Sequence, residues 1–331
     1  MISKVDASEL RKSLKAIEFL QGRAESKFEI GVAAEKQYAA YMRYYGLNFS
    51  ELEPDLRDTR SSIGTFTSGA YELVCQHFLP AVSPPRKTAF LLHGYFDHAG
   101  LYRHLINHLL RQGIAVVIFD LPGHGLSSGA TASIGSFEEY SEALVECLNL
   151  AKVQQVAAPW IAIGQSTGGA IFMDALLEQK IQDDFSFQEF ILLGPLLRPK
   201  HWSWSKILFS LSRLLLASTP RKFGKNSHDV EFLKFIKSKD ELQSRVLPRD
   251  WVQAMIDYIR RFEAADCNDQ PLQLIQGKDD GTVEWETNIP KILAKFPSSK
   301  VNWIDEAEHH LVNESIQYRE QVFAIIDRIL K

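Results

Sequence analysis

The sequence predicts an α/β fold with a mostly parallel central sheet, helices on both faces and a helical insertion over the strand ends. Three observations predict it. From Thr88 onward, short apolar runs alternate with amphipathic stretches of helical length, the pattern of strands buried on both faces. One such run, Trp160-Ile161-Ala162-Ile163, stops at Gly164-Gln165-Ser166-Thr167-Gly168, and a helical pattern follows at once. The alternation breaks once, between about Pro199 and Leu247, over a span too long for a plain connection.

Taken in order, Ala7–Leu20 and Ala33–Tyr45 carry apolar residues at helical spacing and read as a peripheral N-terminal extension over 1–57. Strand-like runs at Ser62–Thr67 and Tyr71–Phe78 open the first part of the core, 58–198, and Pro80 with Pro84-Pro85 marks a loop. Thr88–Leu92 reads as a strand, Leu101–Gln112 as a helix, Ile114–Phe119 as a strand and Ser136–Gln154 as a helix. The run Trp160–Gly164 and the helix after it continue the series, followed by the strand Phe190–Leu193. Residues 199–247 form the expected helical lid. The second part of the core, 248–331, holds a helix at Trp251–Ala264, a strand at Leu272–Gln276, a short helix at Ile289–Phe296, a strand at Val301–Ile304 and a last helix at Ile316–Leu330. Pro290 is expected in the first turn of its helix, where its missing N–H is harmless. Right-handed crossovers place the loops that follow the strands along one sheet edge.

Composition narrows the function classes. The chain has 331 residues, 45% hydrophobic and 24% charged, with a formal net charge of −4, so no basic excess points to nucleic acid. Cys75, Cys147 and Cys267 are odd in number and lack metal-type spacing, which argues against a disulfide framework and suits a reducing compartment. Charges interrupt every early apolar run, so the N-terminus does not read as a signal peptide. No apolar run approaches the roughly eighteen residues of a membrane span. The expected location is cytoplasmic.

Ser166 is the chemical centre of the reading. A serine on a sharp strand-to-helix turn is held in a strained conformation with its hydroxyl pushed out of the sheet. It needs a base to take its proton and donors for an oxyanion. His309 and His310 follow the last strand, at the catalytic edge, and adjacent residues point differently, so one of them reaches Ser166. Asp279 and Asp280 follow the strand Leu272–Gln276 on the same edge, and either could orient the histidine. His104 and His108 lie four apart on a helix with no third ligand nearby, and read as a solvated face. The oxyanion donors are expected to be the backbone N–H of Thr167 and of Tyr95, the latter on the loop His93-Gly94-Tyr95-Phe96-Asp97-His98. The chain order Ser…Asp…His is that of the hydrolase elbow.

Four blocks carry a family resemblance: Leu92 to His98; Asp120-Leu121-Pro122-Gly123-His124-Gly125-Leu126-Ser127-Ser128-Gly129; Gly164 to Gly169; and Ala307-Glu308-His309-His310-Leu311-Val312-Asn313-Glu314. With them the chain resembles an α/β-hydrolase, within the monoacylglycerol lipase and lysophospholipase-like (serine aminopeptidase-like) branch. The resemblance implies a Ser166–His309–Asp280 triad, no metal or organic cofactor, and a monoacyl lipid ester, monoacylglycerol or lysophospholipid, as the small-molecule partner. It makes His124 a shaper of the site. Gln165 and Thr167 depart from the histidine and methionine common at these positions, which bears on substrate preference. Hydrolysis of small non-lipid esters or amides, acyl transfer, and a silent binding protein on the same scaffold are the competing readings.

In the insertion, Trp202, Trp204 and Phe209 join an apolar stripe, and between Phe190 and His228 there are seven Lys or Arg residues but no Asp or Glu. These three aromatics are candidate substrate contacts. A cationic amphipathic stretch suits either a lid packed on its own core or one that touches a membrane surface.

Overall fold

An eight-stranded sheet organises the chain, in the order β1-β2-β4-β3-β5-β6-β9-β10. The computed structural model describes residues 4–14, 32–181, 185–202 and 217–331. The strands are β1 (Arg60–Ser68), β2 (Tyr71–Leu79), β3 (Lys87–Leu92), β4 (Ile114–Phe119), β5 (Trp160–Gln165), β6 (Phe187–Leu193), β9 (Gln273–Gly277) and β10 (Lys300–Ile304). A separate ribbon pairs β7 (Ser218–Pro220) with β8 (Val246–Pro248). β1 and β2 form an antiparallel hairpin, β2 pairs antiparallel with β4, and β4, β3, β5, β6, β9 and β10 run parallel.

Every residue of β4 and β5 is buried, which is why both read as unbroken apolar runs. Alternate residues of β3 serve opposite faces. Phe90 and Leu92 join Leu144, Ile171 and Met255 of the helices Glu138–Val153, Thr167–Leu177 and Arg249–Ala264. Ala89 and Leu91 join Leu105, Leu109, Val322 and Ile326 of the helices Arg103–Arg111 and Ile316–Leu330. The parallel register puts the C-terminal ends of β3, β5, β9 and β10 at one edge, where the site residues follow them.

Three expectations are revised. The helix Val32–Tyr45 is not peripheral: Tyr41 and Tyr45 are buried in the core on the Leu91 face. The first helix is Lys4–Ser13, so it starts earlier than expected and ends before Leu14, and 15–20 of the expected Ala7–Leu20 lie outside the described residues. Pro290 sits inside the helix Trp285–Lys295 rather than in its first turn, because the helix starts earlier. Asn288 within it exchanges hydrogen bonds with the Arg198 backbone, N–H to Oδ1 at 3.0 Å and Nδ2 to O at 3.0 Å, and those bonds anchor the early start.

Within 199–247, the described part holds the β7–β8 ribbon and the helix Val230–Ser238, capped by Asp229 Oδ1, which accepts from Phe232 N at 2.9 Å. Trp204 and Phe209 lie outside the described residues. Among the described residues no helix is long and apolar enough to cross a membrane.

Candidate active site

The turn after β5 is built around one strained residue. Ser166 has φ 53° and ψ −109°, a region that costs about 1–3 kcal/mol and survives only where the surroundings enforce it. The flanking glycines make the turn possible by close approach. A Cβ on Gly164 would fall 2.5 Å from the Gly168 carbonyl carbon, and one on Gly168 would collide with the Leu92 carbonyl of β3. Ser166 N donates to Leu193 O at 2.8 Å, and Leu196 N donates to Ser166 O at 3.1 Å, which fixes the turn from the β6 side.

Three loops bring their side chains together here. His309 Nε2 lies 2.9 Å from Ser166 Oγ, and His309 Nδ1 lies 2.7 Å from Asp280 Oδ2. Asp280 is fully engaged: Oδ2 also accepts from Gln276 Nε2 at 3.0 Å, and Oδ1 accepts from the N–H groups of Thr282 and Val283 at 2.8 and 3.1 Å. Burial opposes its charge, but His309 and these donors outweigh burial and hold the carboxyl below its ordinary range. Burial likewise opposes a charged His309, and Asp280 outweighs it, so the imidazole titrates above its ordinary value. Asp279, the other candidate, is exposed.

His309 and His310 do point differently. His310 Nε2 lies 3.0 Å from Asp97 Oδ2, a charge contact without hydrogen-bond alignment. Tyr102 bridges the same loop: its hydroxyl donates to Asp97 Oδ2 at 3.1 Å and accepts from Gly94 N at 2.9 Å. Despite burial, His310 holds the Asp97 carboxyl well below its ordinary value. Gly94 sits in a tight spot, since a Cβ would meet Asp97 Oδ2 at 3.0 Å, while the left-handed turn of this loop falls on Phe96, φ 69°.

Tyr95 and Thr167 line the same cavity as Ser166 and His309. Among the described residues, no hydrogen bond occupies the N–H of either. The Tyr95 ring stacks on Trp251, centroids 3.8 Å apart, and its hydroxyl donates to Ala132 O at 2.6 Å, so its backbone is held from the side-chain end. Trp202 is buried against the cavity, which has a volume of about 300 Å³. His93 Nε2 accepts from Leu121 N at 2.9 Å, tying the loop after β3 to the loop after β4. His124 is buried beside Tyr95 with its pKa lowered to about 4 by burial. His108 is not on a solvated face: its Nε2 meets Asp327 Oδ1 at 2.7 Å and its ring stacks on Phe323. Among the described residues no group of three His, Cys, Asp or Glu could hold a metal ion.

Two side chains make contacts that are not legible in the sequence. Gln165 Nε2 donates to His309 O at 3.0 Å and so anchors the histidine loop from the residue before Ser166. Arg221 enters the cavity from the insertion. The first is visible in sequence only as a departure from the family pattern, the second only as one cation among seven.

Known proteins share this architecture. An uncharacterized abhydrolase domain-containing protein of Dictyostelium discoideum is 26% identical over 290 residues, which is 82% of this chain and 29% of that protein. The chain therefore spans less than a third of that relative. A monoacylglycerol lipase of Mycolicibacterium smegmatis is 25% identical over 229 residues, 67% of this chain and 80% of the lipase. In fold, the chain is similar to a soluble variant of monoglyceride lipase from Saccharomyces cerevisiae, solved with a substrate analog, at a TM-score of 0.71 and 17% identity over 83% of this chain and 96% of that one. The family model described as "Serine aminopeptidase, S33" matches residues 83–316. With the elbow, the sheet order and this match in hand, the chain belongs to that serine aminopeptidase family, an α/β-hydrolase of the monoglyceride lipase and lysophospholipase type.

Proposed function

We propose that the protein is a serine carboxylic-ester hydrolase acting on monoacyl lipids, monoacylglycerol or lysophospholipid. The observation that carries this reading is the unbroken chain Asp280–His309–Ser166, ending in a cavity whose walls include Leu196, Ile236, Leu247 and Trp251. The relatives named for monoacylglycerol hydrolysis support the substrate class. Residues 199–247 serve as a lid, and Trp202 contacts the acyl chain; Trp204 and Phe209 are proposed to do the same.

Ser166 Oγ attacks the ester carbonyl while His309 Nε2 takes its proton. Asp280 holds the imidazole tautomer and stabilises the imidazolium. The Tyr95 and Thr167 N–H groups receive the negative oxygen. His309 then gives the proton to the leaving alcohol, and a water deprotonated by His309 releases the fatty acid from Ser166. Strain at Ser166 keeps Oγ clear of the sheet for this attack.

The test is a fluorophosphonate probe with peptide mass spectrometry, run beside a panel of monoacylglycerols, lysophospholipids, aryl esters and amides. Labelling at Ser166 with turnover of monoacyl lipids is expected. Labelling without turnover of any lipid would reassign the substrate, and no labelling would leave a binding protein on a hydrolase scaffold.

A further inference from the structure

The cavity above Ser166 has a mixed lining. Leu196, Trp202, Leu247, Trp251 and Val252 contribute apolar wall. Arg221 and Lys222, which follow β7, add two cations. Among the described residues no carboxylate comes within 4.0 Å of either side chain. The sequence from 191 to 228 contains no Asp or Glu to supply one.

Arg221 is held in place rather than free. Its guanidinium sits 4.1 Å from the Phe96 ring centroid and 4.4 Å from that of Phe223. Nη1 donates to Gln243 Oε1 and to Ser244 O, and the backbone N donates to Arg245 O at 2.9 Å. Those bonds leave Nε and Nη2 without an acceptor among the described residues. Burial pulls its pKa down to about 10, so it stays charged at neutral pH. Among the described residues that line the cavity, Asp97 is the one carboxylate; its charge is felt by Arg221 from beyond 4.0 Å, and its direct contacts are taken by His310 and Tyr102. A fixed, largely desolvated cation without an ion-pair partner is unfavourable by itself and becomes favourable when a ligand brings negative charge. A planar guanidinium suits a phosphate, which it can grip through two parallel N–H bonds.

We propose that Arg221, assisted by Lys222, is a headgroup subsite: it binds the phosphate of an anionic monoacyl glycerophospholipid whose acyl chain lies against the apolar lining residues. Arg221 thereby sets a preference for that substrate over neutral monoacylglycerol. The proposal rests on the ester-hydrolase reading above. The competing role is mechanical, in which Arg221 only clasps Phe96 and Phe223 and so holds the ribbon against the loop that carries Tyr95.

The test compares kcat/KM for 1-oleoyl lysophosphatidic acid and 1-oleoylglycerol, both diluted in one neutral detergent, in the wild type, Arg221→Met and Arg221→Lys. The wild type is expected to favour the anionic substrate. Arg221→Met is expected to lower the ratio of the two constants about 10–100-fold, the range for a lost charge-assisted bond, chiefly through KM. Arg221→Lys is expected to keep part of the preference. Inorganic phosphate should compete with the anionic substrate in the wild type and not in Arg221→Met, which separates a phosphate site from a lipid-surface effect. A ratio unchanged in Arg221→Met, with both substrates slowed alike, overturns the proposal in favour of the mechanical role. A ratio that falls only when anionic phosphatidylglycerol vesicles are present overturns it in favour of surface attraction. If Arg221→Met fails to take a fluorophosphonate label, the same ratio in Arg221→Lys and Lys222→Met decides. Turnover of neither lipid, with aryl esters still cleaved, sinks this proposal together with the lipid reading; turnover of 1-oleoylglycerol with an unchanged ratio sinks this one alone.

Discussion

His98 Nε2 lies 2.9 Å from Asp240 Oδ2 with both side chains fully buried, and this pair joins the loop after β3 to the segment that follows the helix Val230–Ser238. The N–H of Gly100 donates to His98 Nδ1 at 3.1 Å, which places the ring proton on Nε2, facing the carboxylate. Tyr45, at the end of the helix Val32–Tyr45, closes the knot: its hydroxyl donates to Asp240 Oδ1 at 2.9 Å. Three stretches far apart in sequence therefore converge on one carboxylate. Asp240→Ala strands a buried imidazole N–H and a buried hydroxyl, and the expected loss is about 3–5 kcal/mol in urea unfolding. Asp240→Asn, which keeps an acceptor, should recover part of it.

Asp240 also sets a pH dependence of stability. Burial raises its pKa, but His98, Tyr45 and the Leu242 N–H together lower it below the ordinary 3.8. A depressed carboxylate contributes stability above its unfolded pKa and loses it as pH falls through the folded value. Wild-type unfolding free energy should therefore drop with acid below about pH 4 more steeply than that of Asp240→Asn. Equal acid slopes would contradict the assignment.

Replacing Ser166 tests the nucleophile. Ser166→Ala is expected to lower kcat by about 10⁶ on any ester that the wild type cleaves, with the fold unchanged by circular dichroism. A variant that keeps substantial turnover would mean that another group attacks the carbonyl.

His309 must be neutral to accept the serine proton. Its pKa lies above the ordinary 6.5, because Asp280 outweighs burial. The profile of kcat/KM should rise with pH through a midpoint above 6.5. Asp280→Asn removes the largest raising charge and leaves burial opposed only by the weaker effects of Asp97 and Glu308, so the midpoint should move downward while kcat falls about 10⁴-fold. A midpoint unmoved by that substitution would place the titration on another group.

Thr167 is assigned a role through its backbone. Its Oγ1 is buried without a hydrogen-bond partner among the described residues. Thr167→Ala should leave kcat within a few-fold of wild type, far from the 10²–10³ lost with an oxyanion donor. A loss of that size would show that the hydroxyl takes part.

Much of the architecture is legible in the sequence because local patterning records burial on both faces of a parallel sheet. Ile114–Phe119 and Trp160–Gly164 are read within a residue of β4 and β5, since every position in them is buried and apolar. The helix Val32–Tyr45 is misread as peripheral because its buried residues, apart from Met42, are tyrosines, whose hydroxyls give a polar-looking stripe until partners such as Asp240 are seen. The helix around Pro290 is misplaced because its start is fixed by Asn288 and Arg198, which are distant in sequence.

By itself, the sequence determined the strand order of chemistry along the chain, the sharp turn at Ser166 and the two candidate pairs, Asp279 or Asp280 and His309 or His310. These are local facts, written in glycine placement and apolar period. The family resemblance picks out Asp280 and His309; only the tertiary structure decided that both align with Ser166, that His310 meets Asp97 instead, and that Arg221 lines the cavity with no carboxylate within 4.0 Å among the described residues. Hydrogen bonds and charge compensation depend on distances between loops of separate strands, and those distances exist only after the sheet has brought the loops to one edge.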